Sequence, residues 1–311
     1  MGKVEKRNVI SMERLLHLKS KERLYVVSCV IDFCNCNKET EGCQRGFFSL
    51  FLQAITALLF SQKHDIQCQI DFGNMKNLFS EPQRFGNDLN FWNYYFEQPF
   101  NIEDKEYEPI LNEMYETYPL RIWDRSYFQK LHGVVEKYVM FKKPIANELA
   151  KMRVLFSQHN ILGVHIRKTD HSGEIEPVDT AVILTTIKKE LNVYDKLFVA
   201  TDDTKILALL EKEFSKDKII SNQVIRSDNE TAIHTNMAHE NRYQLGFDAI
   251  LDCYCLSLCD KTILTHSNLS YSSLLFNPLQ PYILLETRKS RLKRLKTLFL
   301  YHLDRWGIRK W

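Results

Sequence analysis

Strands and helices are predicted to alternate from residue 161 to residue 285, and this alternation constrains the fold more than any other feature of the chain. The first predicted strand, residues 161–166, is apolar except for His165, as expected of a strand that is covered on both faces. Strands that alternate with helices predict a parallel, doubly wound α/β sheet. The later strands are predicted at residues 196–200, 218–220, 261–265 and 282–285, and the helices at 178–191, 205–214 and 242–259.

The first half of the chain contains a shorter unit of the same kind. A strand at residues 24–32, an apolar helix at 47–62 and an alternating strand at 66–72 follow one another. The loop before the helix, GCQRG, either brings backbone and Arg45 to a ligand or only forms the helix entry. Aromatic residues at 91–96 either stack on sugar rings or fill the core.

The length of 311 residues suits two domains. We predict an α/β fold with a first domain at residues 1–155, a second at 156–287 and a final segment at 288–311. Lys and Arg total 42 against 39 Asp and Glu, and a net charge of +3 is too small for bulk nucleic-acid binding, so no nucleic-acid partner is expected. The eight cysteines show no zinc-binding spacing and the sequence starts without an apolar leader, so we expect reduced thiols, no metal and a cytoplasmic protein.

Three polar clusters directly follow predicted strands of the larger sheet. The carboxyl ends of parallel strands share one edge, and such sheets bind ligands there. Cations suit a pyrophosphate, carboxylates suit the hydroxyls and base of a nucleotide sugar, and a helix start offers N–H groups to phosphate oxygens. The pattern therefore predicts a nucleotide-sugar site. The clusters are Arg167 with Lys168, Thr201 with Asp202 and Asp203, and Ser267 with Asn268 and Ser270.

Each cluster also has a purely structural explanation. Asp202 could cap the helix that follows it, and Ser267 could do the same for the next one. Arg167 ends a buried strand and needs a counter-charge, which Asp170 could supply. The occurrence of all three clusters at one sheet edge favours a ligand site.

The three clusters also carry a resemblance to a known family. The segments HIRKTDHSGEIEP, FVATDD and ILDCYCLSLCDKTILTHSNLS resemble, in order and spacing, the motifs of fucosyltransferases of the alpha-1,6 and bacterial nodulation type. These enzymes are related to the alpha-1,2 and protein O-fucosyltransferases. The resemblance implies a GT-B architecture, in which two Rossmann-like domains face a cleft. It also implies an inverting transfer from GDP-fucose to a glycan or glycolipid, with no obligatory metal and no cofactor besides the donor.

The resemblance assigns roles to several residues of the donor site. Arg167 would grip the β-phosphate with the help of His165 and Lys168, and Asp252 would bind the guanine. The sequence departs from the family at Lys168, where a second arginine is usual, so that a bidentate contact is lost while the charge is kept. The remaining members of this predicted site are Asp202 and Asp203 near the nucleotide and Ser267, Asn268 and Ser270 at the phosphates.

The predicted catalytic base lies just beyond this first motif. An inverting transfer needs a group that removes the proton of the acceptor hydroxyl as the new bond forms. The stretch after Asp170 is shifted relative to the family, so the catalytic glutamate maps to Glu174 or to Glu176, and we favour Glu174. Alternatively, both glutamates only favour the dipole of the helix that follows. Arg242, at the entry of another helix, is predicted to add a phosphate contact.

The final segment, from Arg288 to Trp311, has apolar residues at helical spacing and many cations near its start. Either it packs back onto the first domain, which we favour, or it forms a basic amphipathic surface that touches anionic lipid at the membrane periphery.

Two further alternatives concern function: a transferase for another nucleotide sugar, and a non-catalytic module that binds a nucleotide or a sugar.

Overall fold

A computed structural model of the chain describes residues 23–29, 42–102, 108–110, 121–167, 178–228 and 241–308. The strands are β1 (Arg23–Val27), β2 (Gln67–Ile70), β3 (Glu108–Ile110), β4 (Ile161–Ile166), β5 (Lys196–Thr201), β6 (Ile219–Ile220), β7 (Lys261–Thr265) and β8 (Tyr282–Leu285). The helices are α1 (Phe47–His64), α2 (Trp92–Tyr95), α3 (Arg125–Tyr138), α4 (Lys143–Phe156), α5 (Thr180–Glu190), α6 (Thr204–Phe214), α7 (Arg242–Leu258), α8 (Asn268–Phe276) and α9 (Arg288–Arg305).

The larger sheet has five parallel strands in the order β6-β5-β4-β7-β8. The chain starts this sheet in the middle and winds outward in both directions, so the strand order reverses between β4 and β7. All six residues of β4 are buried, which explains why its sequence is apolar at every position except His165. Gly163 allows the close approach of the neighbouring helix end, because a Cβ there would lie 2.8 Å from Cys259 Sγ.

The smaller sheet has the order β2-β1-β3 and is also parallel throughout. Helix α1 connects β1 to β2 and is apolar nearly all round because twelve of its eighteen residues are buried. The strand, helix, strand unit that the sequence predicts is therefore present. The predicted α/β class is confirmed, and both sheets are parallel, as two Rossmann-like units require.

The largest apolar core extends across both halves of the chain. It joins Phe47 and Trp92 from the first half to Tyr271 and Leu274 of α8. Tyr271 Oη donates to the carbonyl of Ile122 at 3.0 Å, which ties α8 to the chain just before α3. Because this core is shared, the boundary between residues 155 and 156 stays a prediction.

The aromatic residues at 91–96 belong to this core. Phe91, Trp92, Tyr94, Tyr95 and Phe96 are all buried. The alternative of an exposed surface on which sugars stack is wrong for these five rings. An apolar sequence pattern cannot distinguish rings that pack under a loop from rings that line a surface, and burial decides for packing here.

Helix α9 reaches the start of α3 in the first half of the chain. The Tyr301 ring lies 5.4 Å from the Tyr127 ring, and Arg305 Nη1 donates to Ser126 Oγ at 3.1 Å. Glu286, after β8, accepts two hydrogen bonds from Arg294 of the helix. Within the described ranges, no helix is both long enough and apolar enough to cross a bilayer.

Candidate functional site

A cavity lies between the start of α1 and the carboxyl edge of the larger sheet. The first half of the chain contributes the α1 start and Phe79, and the second half contributes the sheet edge, the loop before α7 and one face of α7. The residues that line it are Gly46, Phe47, Phe48, Ser49 and Phe79 on one side, and His165, Arg167, Thr201, Asp202, Val224, Ile225, Leu245, Asp248, Ala249, Asp252, Asn268 and Leu269 on the other.

His165 and the start of α8 form a buried hydrogen-bonded group at the point where the strand order reverses. His165 Nδ1 lies 2.7 Å from Ser270 Oγ and 3.3 Å from Ser267 Oγ. Ser267 caps α8, because its Oγ accepts from the Ser270 N–H at 2.9 Å. Thr265 Oγ1 also donates to the His165 carbonyl at 3.2 Å. These bonds fix the α8 start against β4.

Arg167 follows β4 directly and lines the cavity together with Asn268 in the first turn of α8. The predicted first and third clusters are thus brought together at the reversal point, where ligands of doubly wound sheets bind. A guanidinium and the N–H groups of a helix start are complementary to phosphate oxygens. This end of the cavity is suited to an anion.

The first turn of α1 lines the cavity on the other side. Gly46 occupies the position before α1, and a glycine has no side chain with which to cap the first backbone N–H groups of this eighteen-residue helix. Arg45 does not extend into the cavity. Its guanidinium donates to Gln53 Oε1 at 2.5 Å and to the Ser49 carbonyl at 3.1 Å, so the helix-entry explanation of the GCQRG loop holds for this side chain.

Two carboxylates, one turn apart on α7, also line the cavity. Asp252 is buried, and its Oδ1 accepts from Asn222 Nδ2 at 2.7 Å. Burial raises the pKa of Asp252 to about 7, against the lowering effects of the Asn222 hydrogen bond and of Arg226; Asp248 and Asp202 raise it further. A carboxyl group with this pKa changes charge near neutral pH.

Asp248 is the second of these carboxylates. Its Oδ2 accepts from the Ile225 N–H at 3.2 Å and its Oδ1 accepts from Gln244 Nε2 at 2.7 Å. Asp248 thereby holds the loop at residues 221–228 against α7, and the apolar side chains of Val224 and Ile225 line the cavity beside it. An apolar patch next to carboxylates suits the faces and N–H donors of a nucleobase.

The side chain of Arg226 stabilises the conformation of the same loop. Its guanidinium donates to the Asn222 carbonyl at 2.8 Å and to the Thr201 carbonyl at 3.2 Å. The loop that carries Asn222 is therefore fastened to the end of β5. This arrangement sets the position of the Asn222 amide that contacts Asp252.

The second predicted cluster divides into two different roles. Asp202 lines the cavity, whereas Asp203 caps α6, with its Oδ1 accepting from the N–H groups of Lys205 and Ile206 at 2.7 and 3.2 Å. The capping explanation thus applies to Asp203, one residue beyond the position for which the sequence suggested it. Asp203 does not line the cavity.

Arg242 also lies away from the cavity lining. It is buried, and its Nη1 donates to the carbonyl of Leu78 at 3.0 Å. Burial lowers the pKa of Arg242, and Glu81 acts in the opposite direction. The next residue, Tyr243, donates its N–H to Glu81 Oε2 at 2.8 Å. In this structure Arg242 joins α7 to the first half of the chain, and its phosphate contact stays a prediction.

Sequence patterns did not indicate Asn222, Arg226 or Asp248 as members of the site. Asp248 could have been found, because it precedes Asp252 by one helical turn on the same face of α7. Asn222 and Arg226 lie in a polar loop without periodicity, so nothing in the sequence connects them to α7. Their contribution depends on the fold of the loop.

Three predicted residues lie outside the described ranges: Lys168, Glu174 and Glu176. The glutamate that would act as base therefore stays a prediction. Ser267 and Ser270 lie behind the cavity wall and support it, while Asn268 lines it. Among the residues with described positions, no three His, Cys, Asp or Glu side chains gather as metal ligands.

Comparisons with known proteins gave structural neighbours only. No protein-family model matches the sequence, and no curated protein matches it. The fucosyltransferase NodZ from Bradyrhizobium is 15% identical with a TM-score of 0.49, covering 86% of this chain and 96% of that one. NodZ alpha-1,6-fucosyltransferase co-crystallized with GDP is 16% identical with a TM-score of 0.48, over 81% and 92%. POFUT1 in complex with GDP is 10% identical with a TM-score of 0.42, over 85% and 98%. This chain is similar in structure to these proteins.

Proposed function

We propose that this chain is an inverting glycosyltransferase that moves L-fucose from GDP-fucose to a hydroxyl of a glycan or glycolipid. One observation carries the proposal: a single cavity is lined both by a cation and a helix start and by two carboxylates of α7. A nucleoside diphosphate needs both kinds of partner, because its pyrophosphate is anionic and its guanine presents N–H donors. The segments that resemble fucosyltransferase motifs contribute Arg167, Asp252 and the α8 start, whereas Asp248 lies two residues before the third segment.

In this proposal Arg167 and the α8 start hold the pyrophosphate. His165, through its bonds to Ser270 and Ser267, keeps the α8 start in position. The charge that develops on the departing GDP is stabilised by groups that are already oriented before the reaction. The first turn of α1 lies across the cavity, on the side that we assign to the acceptor.

Asp252 and Asp248 accept hydrogen bonds from the guanine, which lies against Val224 and Ile225 in this proposal. Asp202 follows β5 directly and lines the cavity, and we assign it to the ribose. This division would place the diphosphate at the reversal point of the sheet and the base beside α7.

The chemical step is a single displacement. The acceptor oxygen forms a bond to the anomeric carbon on the face opposite GDP, while the bond to the phosphate oxygen breaks and the electron pair leaves with GDP. A carboxylate, Glu174 or Glu176, takes the proton of the acceptor hydroxyl. The sugar configuration is thereby inverted. No metal takes part in this scheme, so a chelator should leave turnover unchanged.

A transferase that uses another nucleotide sugar is the closest alternative, because a diphosphate site alone does not select the base. A thermal-shift panel of GDP-fucose, GDP-mannose, UDP-glucose and ADP-glucose discriminates between them. The proposal expects a shift with the two guanine nucleotides and turnover with GDP-fucose. A shift with UDP-glucose alone would favour the alternative, and GDP binding without transfer to any glycan would favour a non-catalytic module.

The cytoplasmic location belongs to the same proposal. All six cysteines at described positions are buried, and we assign them as reduced thiols of a reducing compartment. Labelling of unfolded protein, purified without reductant, with a thiol reagent tests this. The location predicts eight reactive thiols, one for each cysteine in the sequence.

A further inference from the structure

Helix α9 has an arrangement that the donor site does not require. Several of its contacts with the rest of the chain are made by polar and aromatic-polar side chains, namely those of Arg294, Tyr301 and His302. His302 Nε2 lies 3.8 Å from Asp124 Oδ2, and Arg294 forms a bidentate pair with Glu286. A surface helix normally turns its apolar stripe inward and its polar residues outward.

One set of apolar side chains of α9 nevertheless points outward, while Leu298, Leu300 and Leu303 are half-buried. Leu292, Leu295 and Phe299 follow each other at spacings of three and four residues, and Trp306 follows one residue after the helix ends. Their exposed fractions are 60%, 46%, 61% and 66%. Ile308 is exposed as well. Four large side chains on one exposed stripe are more than the isolated apolar residues that protein surfaces ordinarily carry.

Cations border this stripe along the whole first half of the helix. On a helical projection Arg291 lies on one side of Leu292 and Leu295, and Lys296 and Lys289 lie on the other. All three cations are exposed. Among residues 288–296 the sequence contains six cations and no Asp or Glu. The stripe is therefore apolar along its centre and positive along its borders.

We propose that the outward face of α9 binds an anionic phospholipid surface. The apolar side chains enter the boundary between head groups and acyl chains, the tryptophan lies at the head-group level, and the bordering cations contact lipid phosphates. The charge decides against a second copy of the chain as occupant, because two such faces would bring their cations together. Since α9 also contacts α3, the membrane would support the first half of the protein, where we assign the acceptor.

Flotation with vesicles tests this proposal. The intact protein should float with vesicles that contain phosphatidylglycerol and remain unbound with phosphatidylcholine alone, and salt should weaken the binding. The variant F299S/W306S should lose at least about tenfold in bound fraction. Its matched control is V193S/L279S, which changes two side chains that are 75% and 59% exposed elsewhere. That control should float as the intact protein does.

A second pair of variants tests the charge. R291E/K296E should bind the anionic vesicles as weakly as F299S/W306S does, whereas K189E/K212E, with the same change of net charge, should bind normally. Equal flotation on both kinds of vesicle, no flotation, or equal loss in a variant and its control would overturn the proposal. A dimer in sedimentation that F299S/W306S abolishes, without flotation of the intact protein, would assign the face to a second copy instead. The GDP affinity of the same variants is measured separately and shows whether the cavity still binds the nucleotide.

Discussion

His165 Nδ1 and Ser270 Oγ lie 2.7 Å apart and join β4 to the first turn of α8 across the point where the strand order reverses. The two residues are separated by 105 positions in the sequence and both are buried. Their bond therefore sets the geometry of the end of the cavity that Arg167 and Asn268 line.

The substitution S270A should reduce the free energy of unfolding by about 1–2 kcal/mol, because it removes a buried partner of the imidazole. It should also weaken GDP binding, since the α8 start loses its fixed position. Denaturant unfolding and GDP titration measure the two effects. The matched control is S273A in the same helix: Ser273 is buried too, but its hydroxyl donates to the Ser270 carbonyl of its own helix. Equal effects of S270A and S273A on GDP affinity would contradict this role.

Asp252 should make stability depend on pH. Its folded pKa of about 7 lies above the ordinary 3.8, so the folded chain retains a proton that the unfolded chain has released. Stability therefore falls as the pH rises from about 4 to about 7 and then levels off, as far as this group is concerned. D252N cannot ionise, so it should be more stable than the unchanged protein at about pH 8, and the difference should shrink toward about pH 4. Thermal unfolding across this range checks it, and a constant difference would count against it.

The protonation state of Asp252 should also make GDP binding depend on pH. If the ionised carboxylate accepts guanine N–H groups, GDP should bind about tenfold more weakly at about pH 6 than at about pH 8. N222A removes the hydrogen bond that most favours the ionised form, so the midpoint of this dependence should move to higher pH. Q223A changes an exposed neighbour in the same loop and should leave the midpoint in place. Calorimetric titration measures each case, and an unmoved midpoint in N222A would remove Asp252 from this role.

Gly246 should be one of the least replaceable residues of α7. A Cβ there would lie 2.3 Å from Tyr95 Oη, which itself donates to the Tyr243 carbonyl at 2.8 Å. G246A should therefore cost about 1–3 kcal/mol of stability, as overpacking does. G133A should instead add about 0.5–1 kcal/mol, because a Cβ at this exposed position within α3 meets nothing within 4 Å. Equilibrium unfolding of both variants checks the prediction, which a neutral G246A would contradict.

Substitution of the proposed base should slow catalysis without weakening GDP binding. E174Q or E176Q, whichever replaces the base, should lower kcat by about 10²–10⁴-fold while GDP affinity stays unchanged. The other variant serves as its control. Turnover of GDP-fucose with an accepted glycan gives kcat, and a normal rate in both variants would show that the base is another group.

Much of the fold could be predicted from the sequence, because buried strands and amphipathic helices have periods that single residues reveal. The apolar run of β4 and the predicted helix at residues 47–62 are examples, the latter observed at Phe47–His64. The clusters after β4 and β7 were also predictable, since the edge they share follows from parallel topology. Contacts that depend on loop conformation were not. Arg226 reaches the Asn222 carbonyl only because the loop folds back, and no periodicity encodes that.

Roles that depend on the direction of a side chain were equally hidden from the sequence. Asp202 and Asp203 are adjacent and chemically identical, yet one lines the cavity and the other caps α6. The outward stripe of α9 is a second example: helical spacing predicted an apolar face, but only the packing shows which way that face points.

Binding of GDP by the unchanged protein and by R167A tests the central claim most directly. The cavity should bind GDP, and the loss of the guanidinium should weaken that binding at least tenfold, as expected for a charge-assisted bond to phosphate. Guanosine, which lacks phosphates, should bind both proteins equally. Undetectable binding of GDP, or equal GDP affinity with and without Arg167, would contradict the assignment of this cavity to a nucleoside diphosphate.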